Sequence, residues 1–96
     1  MKIKANALFN LERYEEAIEY YDKALAIDPN NAKAWYAKGY TLGKLGKYNE
    51  AIQAYDRVIQ IDSNYTDAWN EKGLSLKKLG KDKDVKKYFD KARQLT

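Results

Sequence analysis

The residues that most often carry out acid–base and nucleophilic chemistry are nearly missing from this sequence. It has no His and no Cys, so the commonest general base, thiol nucleophiles and thiolate metal sites are all excluded. The only serines are Ser63, in a predicted turn, and Ser75, in a predicted helix, and no histidine is present to activate either hydroxyl. The sequence therefore predicts a protein that is not an enzyme.

Two short segments resemble ligand-binding loops but lack essential members. Asp82 and Asp84 stand as in the opening of a calcium loop, but lysines follow where oxygen ligands and a glycine are required. Residues 43–48 resemble a phosphate-binding loop, which would need a glycine in place of Thr41 and a hydroxyl residue after Lys47. We therefore expect neither a metal nor a cofactor.

Composition is typical of one small globular domain. The 96 residues include 18 Lys and Arg against 14 Asp and Glu, for a net charge of +4, and 45% are hydrophobic. No apolar run approaches the roughly 18 residues that cross a bilayer, and residues 1–6 do not lead into a signal-peptide segment. We therefore expect a cytoplasmic protein with no membrane span.

A shift of 34 residues aligns the sequence with itself. Residues 1–31 share 12 identities with residues 35–65, and residues 32–62 share 11 with residues 66–96, where average residue usage gives about 2. Within each repeat the apolar residues recur every three or four positions, which indicates helices. The sequence therefore predicts three repeat units, over residues 1–31, 32–65 and 66–96.

Helix ends are marked by glycine, proline and capping residues. Gly46 and Gly80 stand where a positive φ ends a helix. Pro29 ends another helix, and Asn or Ser side chains in the turns after Asp28 and Asp62 can cap the next one. The sequence predicts six helices, over residues 1–11, 15–28, 32–45, 49–62, 66–79 and 83–95.

The repeat motifs point to a family. The first helix of the middle repeat carries Trp35, Gly39 and Leu42, and the second carries Ala51 with Tyr55 four positions later. With the 34-residue period, this pattern resembles the tetratricopeptide repeat (TPR) family over the whole chain. The resemblance implies an all-α fold: one TPR domain over residues 1–96, built as a right-handed superhelical stack of three antiparallel helix pairs.

In the TPR family, the first helices of the pairs line a concave groove that binds peptides or partner helices. Tyr36, Tyr40 and Gly43 are four and three positions apart, so two aromatic rings lie beside a gap where Gly43 has no side chain. We expect a ligand to bind there, unless both tyrosines instead pack against neighbouring helices. The resemblance implies this groove lining: Lys2, Asn6, Phe9, Asn10, Lys33, Tyr36, Ala37, Tyr40, Gly43, Lys44, Asp67, Asn70, Glu71, Leu74, Lys77 and Lys78.

One subclass of the family holds the C-terminal carboxylate of chaperone tails with a clamp of Lys, Asn, Asn, Lys and Arg. Lys2 and Asn6 match its first two members. The other three positions hold Ala37, Asp67 and Glu71, so a carboxylate would meet acidic side chains. The sequence therefore predicts that such tails do not bind.

The leading hypothesis is a non-enzymatic protein–protein interaction module that binds a peptide or partner helix of unknown identity. An alternative is a self-associating assembly scaffold, a homo-oligomer joined through the N-terminal helix pair, where Ile3 and Ala7 have no preceding repeat to cover them. A less favoured alternative is nucleic-acid binding through the third repeat, which carries 9 cationic and 5 acidic residues. Against it, the acidic residues are interleaved and no aromatic row is exposed for base stacking.

The outer face of the last repeat differs from the others. The corresponding face is apolar in the first two repeats, but in the third it carries Asp82, Lys86 and Arg93 around Phe89. A further repeat would bury these charges. The sequence therefore predicts that the third repeat ends the array.

Overall fold

The computed structural model describes residues 13–96, which form helices joined by short turns. The predicted helix over residues 1–11 lies outside the described residues, and the other five helices are confirmed to within two residues at each end. Residues Asp82–Asp84 form a 3-10 turn, so the last helix begins two residues later than predicted. The helices are α1 (Tyr14–Ile27), α2 (Ala32–Lys44), α3 (Tyr48–Ile61), α4 (Thr66–Lys78) and α5 (Val85–Leu95).

Each helix packs against the next one along the chain, and α2 also contacts α4. Because the turns are short, consecutive helices run antiparallel, and the first helices of the second and third repeats become neighbours. This arrangement confirms the predicted all-α stack of helix pairs. Within the described part of the chain, no helix is both long and apolar enough to cross a membrane.

Two glycines end α2 and α4 in the same way. Gly46 has a φ of 76° and Gly80 a φ of 75°, which confirms the predicted positive φ at both positions. The amide of Lys47 donates to the carbonyl of Leu42 at 2.9 Å, and that of Lys81 donates to Leu76 at 2.9 Å. These bonds belong to a Schellman motif, which pairs carbonyls that the helix end leaves open.

The loops that precede α2 and α4 are tied to a tryptophan in each helix. Trp35 Nε1 donates to the carbonyl of Pro29 at 2.8 Å, and Trp69 Nε1 donates to that of Ser63 at 2.9 Å. Asn31 caps α2 by accepting a hydrogen bond from the amide of Ala34. The cap predicted for α4 is wrong: Tyr65 stands at its N-cap and makes no side-chain cap bond.

Within residues 13–96, the largest fully buried side chains belong to the middle repeat. Tyr55 and Val58 of α3 are 1% and 0% exposed, and Leu42 of α2 clusters with Tyr55 and Ala51. Gly39 lets the two helices approach closely, because a Cβ atom at this position would lie 2.8 Å from Tyr55 Cε1 and 3.2 Å from Ala54 Cβ. The ring of Tyr55 therefore packs directly on the backbone of α2.

Gly39→Ala should destabilise the protein by about 1–2 kcal/mol, because overpacking costs about 1–3 kcal/mol and the gain in helix propensity offsets up to about 1 kcal/mol. Gly43→Ala is the matched control in the same helix. A Cβ atom at Gly43 would meet nothing within 4 Å, so this change should stabilise the helix by up to about 1 kcal/mol. Urea unfolding followed by circular dichroism compares the two, and equal effects would contradict the packing of Tyr55 on Gly39.

Candidate functional site

A pocket of about 460 Å³ opens between α2 and α4, and we call it the groove pocket. It brings together residues that the sequence placed in the groove on two different helices. The predicted residues that line it are Tyr40, Gly43 and Lys44 on α2, and Glu71, Leu74 and Lys78 on α4. Residues three or four positions apart are neighbours on a helix surface, so each set shares one helix face.

The gap expected at Gly43 is present. A Cβ atom there would have no neighbour within 4 Å, so space remains between the ring of Tyr40 and α4. Across the gap, Leu74 is 39% exposed and gives the pocket an apolar surface. The pocket therefore has open space beside an apolar surface.

Three lining residues were missed by the sequence analysis: Tyr48, Tyr55 and Ser75. Tyr48 and Tyr55 belong to α3, whereas the resemblance assigned the groove to first helices alone. The two tyrosines are seven positions apart, so they lie on one face of α3. That spacing is the signal in the sequence that could have identified them.

Tyr36 has a different role from Tyr40. Its ring centroid lies 6.3 Å from that of Tyr40, 5.7 Å from that of Tyr55 and 5.3 Å from that of Tyr65. Burial raises the pKa of the Tyr36 hydroxyl, and the negative charges of Glu71 and Asp67 raise it further. Tyr36 thus packs between α2, α3 and the start of α4, which is the packing role that the sequence analysis kept as the alternative for this residue.

Charges of both signs surround the groove pocket. Burial raises the pKa of Glu71, the neighbouring Asp67 raises it further, and Lys44 opposes these effects. The ammonium group of Lys44 lies 5.3 Å from the ring centroid of Tyr40, and Lys78 lines the same pocket. Because Glu71 is half-buried and its pKa is raised, a cationic ligand group placed beside it would stabilise its charged form.

The remaining predicted groove residues lie elsewhere. Asp67 and Asn70 line a shallower depression of about 260 Å³ that they share with α5, and Ala37 packs against Ala17 and Tyr21 of α1. Lys33 and Lys77 are exposed and do not line the groove pocket. Lys2, Asn6, Phe9 and Asn10 lie outside the described residues.

The alternatives from the sequence analysis stay predictions. Ile3 and Ala7, which motivate self-association, lie outside the described residues. In the basic third repeat, Lys91 lies 5.8 Å from the ring centroid of Trp69 and Lys87 lies 5.8 Å from that of Tyr88. Arg93 pairs with Asp90. Several of these cations therefore contact side chains of the protein itself.

Family models match the chain in tandem. A model described as TPR repeat matches residues 5–46, and models described as tetratricopeptide repeat match residues 32–65 and 66–95. No curated protein matches the sequence closely enough to be counted as a relative.

Solved structures superpose closely on the chain. The second TPR domain of Spaghetti (RPAP3), bound to the HSP90 peptide SRMEEVD, is 30% identical with a TM-score of 0.94, and the match covers 99% of this chain and 88% of that one. The second TPR domain of human RPAP3, in complex with the HSP70 peptide SGPTIEEVD, is 31% identical with a TM-score of 0.93, covering 98% and 78%. MamA is 29% identical with a TM-score of 0.94, covering 98% of this chain and 55% of MamA.

The chain thus spans about half the length of MamA and most of each RPAP3 domain. The helix pairs, the glycine-ended turns and the tandem family matches all describe the same 34-residue unit. This chain belongs to the tetratricopeptide repeat family, as an all-α TPR solenoid.

Proposed function

We propose that this chain is a non-enzymatic protein–protein interaction module that binds a peptide or partner helix in the groove pocket. The observation that carries the proposal is the convergence of six predicted groove residues on one pocket between α2 and α4. The RPAP3 domains, which share the fold, are bound to peptides, and this likeness supports the same class of function here.

The lining indicates what kind of ligand fits. An apolar side chain would contact Tyr40, Tyr48 and Leu74 beside the gap at Gly43. A lysine or arginine next to it would meet Glu71, with Asp67 one helical turn away on α4. Lys44 and Lys78 of the lining are exposed, whereas Glu71 is half-buried, so we propose that the ligand carries an apolar residue with a basic neighbour that pairs with Glu71.

Gly43→Leu should block ligand binding while leaving the fold intact, because its Cβ atom would meet nothing within 4 Å and the rest of the side chain would extend into the open pocket. Peptides selected from a random displayed library against the wild-type chain should lose about 2 kcal/mol or more of binding free energy, which is about 30-fold in Kd. Binding is measured by fluorescence polarisation.

The matched control is Ala26→Leu, which adds the same side chain at an exposed position of α1. It should leave peptide affinity unchanged. Equal affinity of the wild-type and Gly43→Leu proteins for the selected peptides would place the binding site outside the groove pocket.

A further inference from the structure

A second pocket, of about 370 Å³, opens between α2 and α3, and we call it the indole pocket. Trp35 and Leu42 of α2 and Ala54 of α3 form its apolar part, and Lys38 and Arg57 contribute cationic groups. It shares no lining residue with the groove pocket. Its volume lies within the range of roughly 300–1,000 Å³ that is usual for ligand pockets.

In the third repeat, a tyrosine ring occupies the position that is equivalent to the indole pocket. A shift of 34 residues takes Trp35 to Trp69 and Ala54 to Tyr88. The ring of Tyr88 stacks on that of Trp69, with centroids 5.8 Å apart and planes 28° apart. The third repeat therefore covers its own indole with a tyrosine ring that the second repeat lacks.

One ion pair beside the two indoles is the same. Lys38 pairs with Asp22 of α1 at 2.6 Å, and the equivalent Lys72 pairs with Asp56 of α3. In the third repeat the ammonium group of Lys72 lies 4.6 Å from the ring centroid of Tyr88.

In the second repeat the same lysine lies over the indole itself. With only a methyl group at Ala54, Lys38 lies 5.4 Å from the ring centroid of Trp35, and the guanidinium of Arg57 also lies 5.4 Å from it. The indole pocket thus has the same tryptophan and lysine as the third repeat, but Lys38 contacts the indole where Lys72 contacts Tyr88, so a ring that stacks on Trp35 takes the place of the Lys38 ammonium group.

We propose that the indole pocket binds a tyrosine or phenylalanine side chain of a partner protein segment that also carries acidic residues. The ring takes the place that Tyr88 takes on Trp69. Lys38 is already paired with Asp22, so an acidic neighbour of that ring would pair with Arg57, whose guanidinium lies over the indole and donates to the neutral side chain of Gln60. This site is additional to the groove pocket, and it binds whether or not the groove is occupied.

The indole N–H signals of Trp35 and Trp69 in ¹⁵N-labelled protein test the proposal, with assignment from a Trp69→Phe variant. N-acetyl-tyrosinamide should shift the Trp35 signal saturably and leave the Trp69 signal in place, because Tyr88 already covers that indole. The peptide acetyl-Glu-Tyr-Glu-amide should bind at least about fivefold more tightly than acetyl-Lys-Tyr-Lys-amide, as expected for surface charge pairs.

Two reciprocal variants make the test specific. Ala54→Tyr fills the indole pocket from within and should abolish the response of Trp35, whereas Tyr88→Ala opens the third repeat and should make Trp69 respond. A saturable Trp35 shift that persists in Ala54→Tyr would overturn the proposal, as would no shift in the parent protein.

Two further outcomes bear on the identity of the occupant. Equal affinity for the acidic and basic peptides would contradict an acidic partner. A Trp35 signal that moves on dilution of the protein alone would assign the pocket to a second copy of the chain, which also contradicts a partner segment.

Discussion

Tyr55→Ala should lower the free energy of unfolding by about 3–5 kcal/mol, the usual cost of deleting a large aromatic side chain from a core. Tyr55 is 1% exposed, its ring lies 5.7 Å from that of Tyr36, and it covers the backbone at Gly39. A domain of this size has a total stability of about 5–15 kcal/mol. Urea unfolding followed by circular dichroism should therefore show a large shift of the midpoint.

Two companion variants identify the cause of this loss. Tyr55→Phe keeps the ring and should cost less than about 1.5 kcal/mol. In the Tyr55→Ala background, Gly39→Ala should no longer be destabilising, because its new Cβ atom would have lost the Tyr55 ring as its closest neighbour. If Gly39→Ala costs the same in both backgrounds, the contact between α2 and α3 is not the one described.

The peptide SRMEEVD, to which the second TPR domain of Spaghetti is bound, should not bind this chain saturably at millimolar concentration. Asp67 and Glu71 stand where the chaperone-tail clamp has Lys and Arg. Like charges placed against each other across an interface cost several kcal/mol. Reversing both charges with Asp67→Lys and Glu71→Arg should therefore raise affinity at least about tenfold, equivalent to about 1.4 kcal/mol.

Isothermal titration calorimetry measures this change, and the same peptide with an amidated C-terminus is the control for the terminal carboxylate. A selected groove ligand with a basic residue should respond in the opposite direction and lose affinity in the doubly substituted protein. Saturable binding of SRMEEVD to the unmodified chain would show that Asp67 and Glu71 do not repel an acidic tail.

The repeat period made most of the backbone predictable. Because each element occurs in more than one copy, Gly46 and Gly80 could be identified together as helix ends, and both have the positive φ that this requires. The same bond closes the loops before α2 and α4, because Asp28 accepts from the amide of Asn30 and Asp62 from that of Asn64. The helices differ at the N-cap itself, where the 34-residue shift places Tyr65 in the position of Asn31, so the repeat alignment could have shown that α4 has no side-chain cap.

The sequence predicted which site residues share one face of a helix, but not how the faces of different helices meet. Tyr36 and Tyr40 share a face of α2, and their spacing does not distinguish them. The ring of Tyr36 contacts those of Tyr55 and Tyr65 from other elements, whereas Tyr40 lines the groove pocket, and both arrangements depend on how the helices cross. Ala54 is a similar case. Its short side chain leaves Trp35 without a stacked tyrosine, and this difference is seen only by comparison with the stacked rings of Tyr88 and Trp69 in the third repeat.

Amide NMR mapping of a library-selected peptide shows whether a protein ligand binds in the groove pocket. The largest shifts should fall on the three segments that line the pocket, residues 40–44, 48–55 and 71–78, and Gly43→Leu should abolish them. Shifts concentrated on α1 or α5, with affinity unchanged in Gly43→Leu, would contradict binding in the groove pocket.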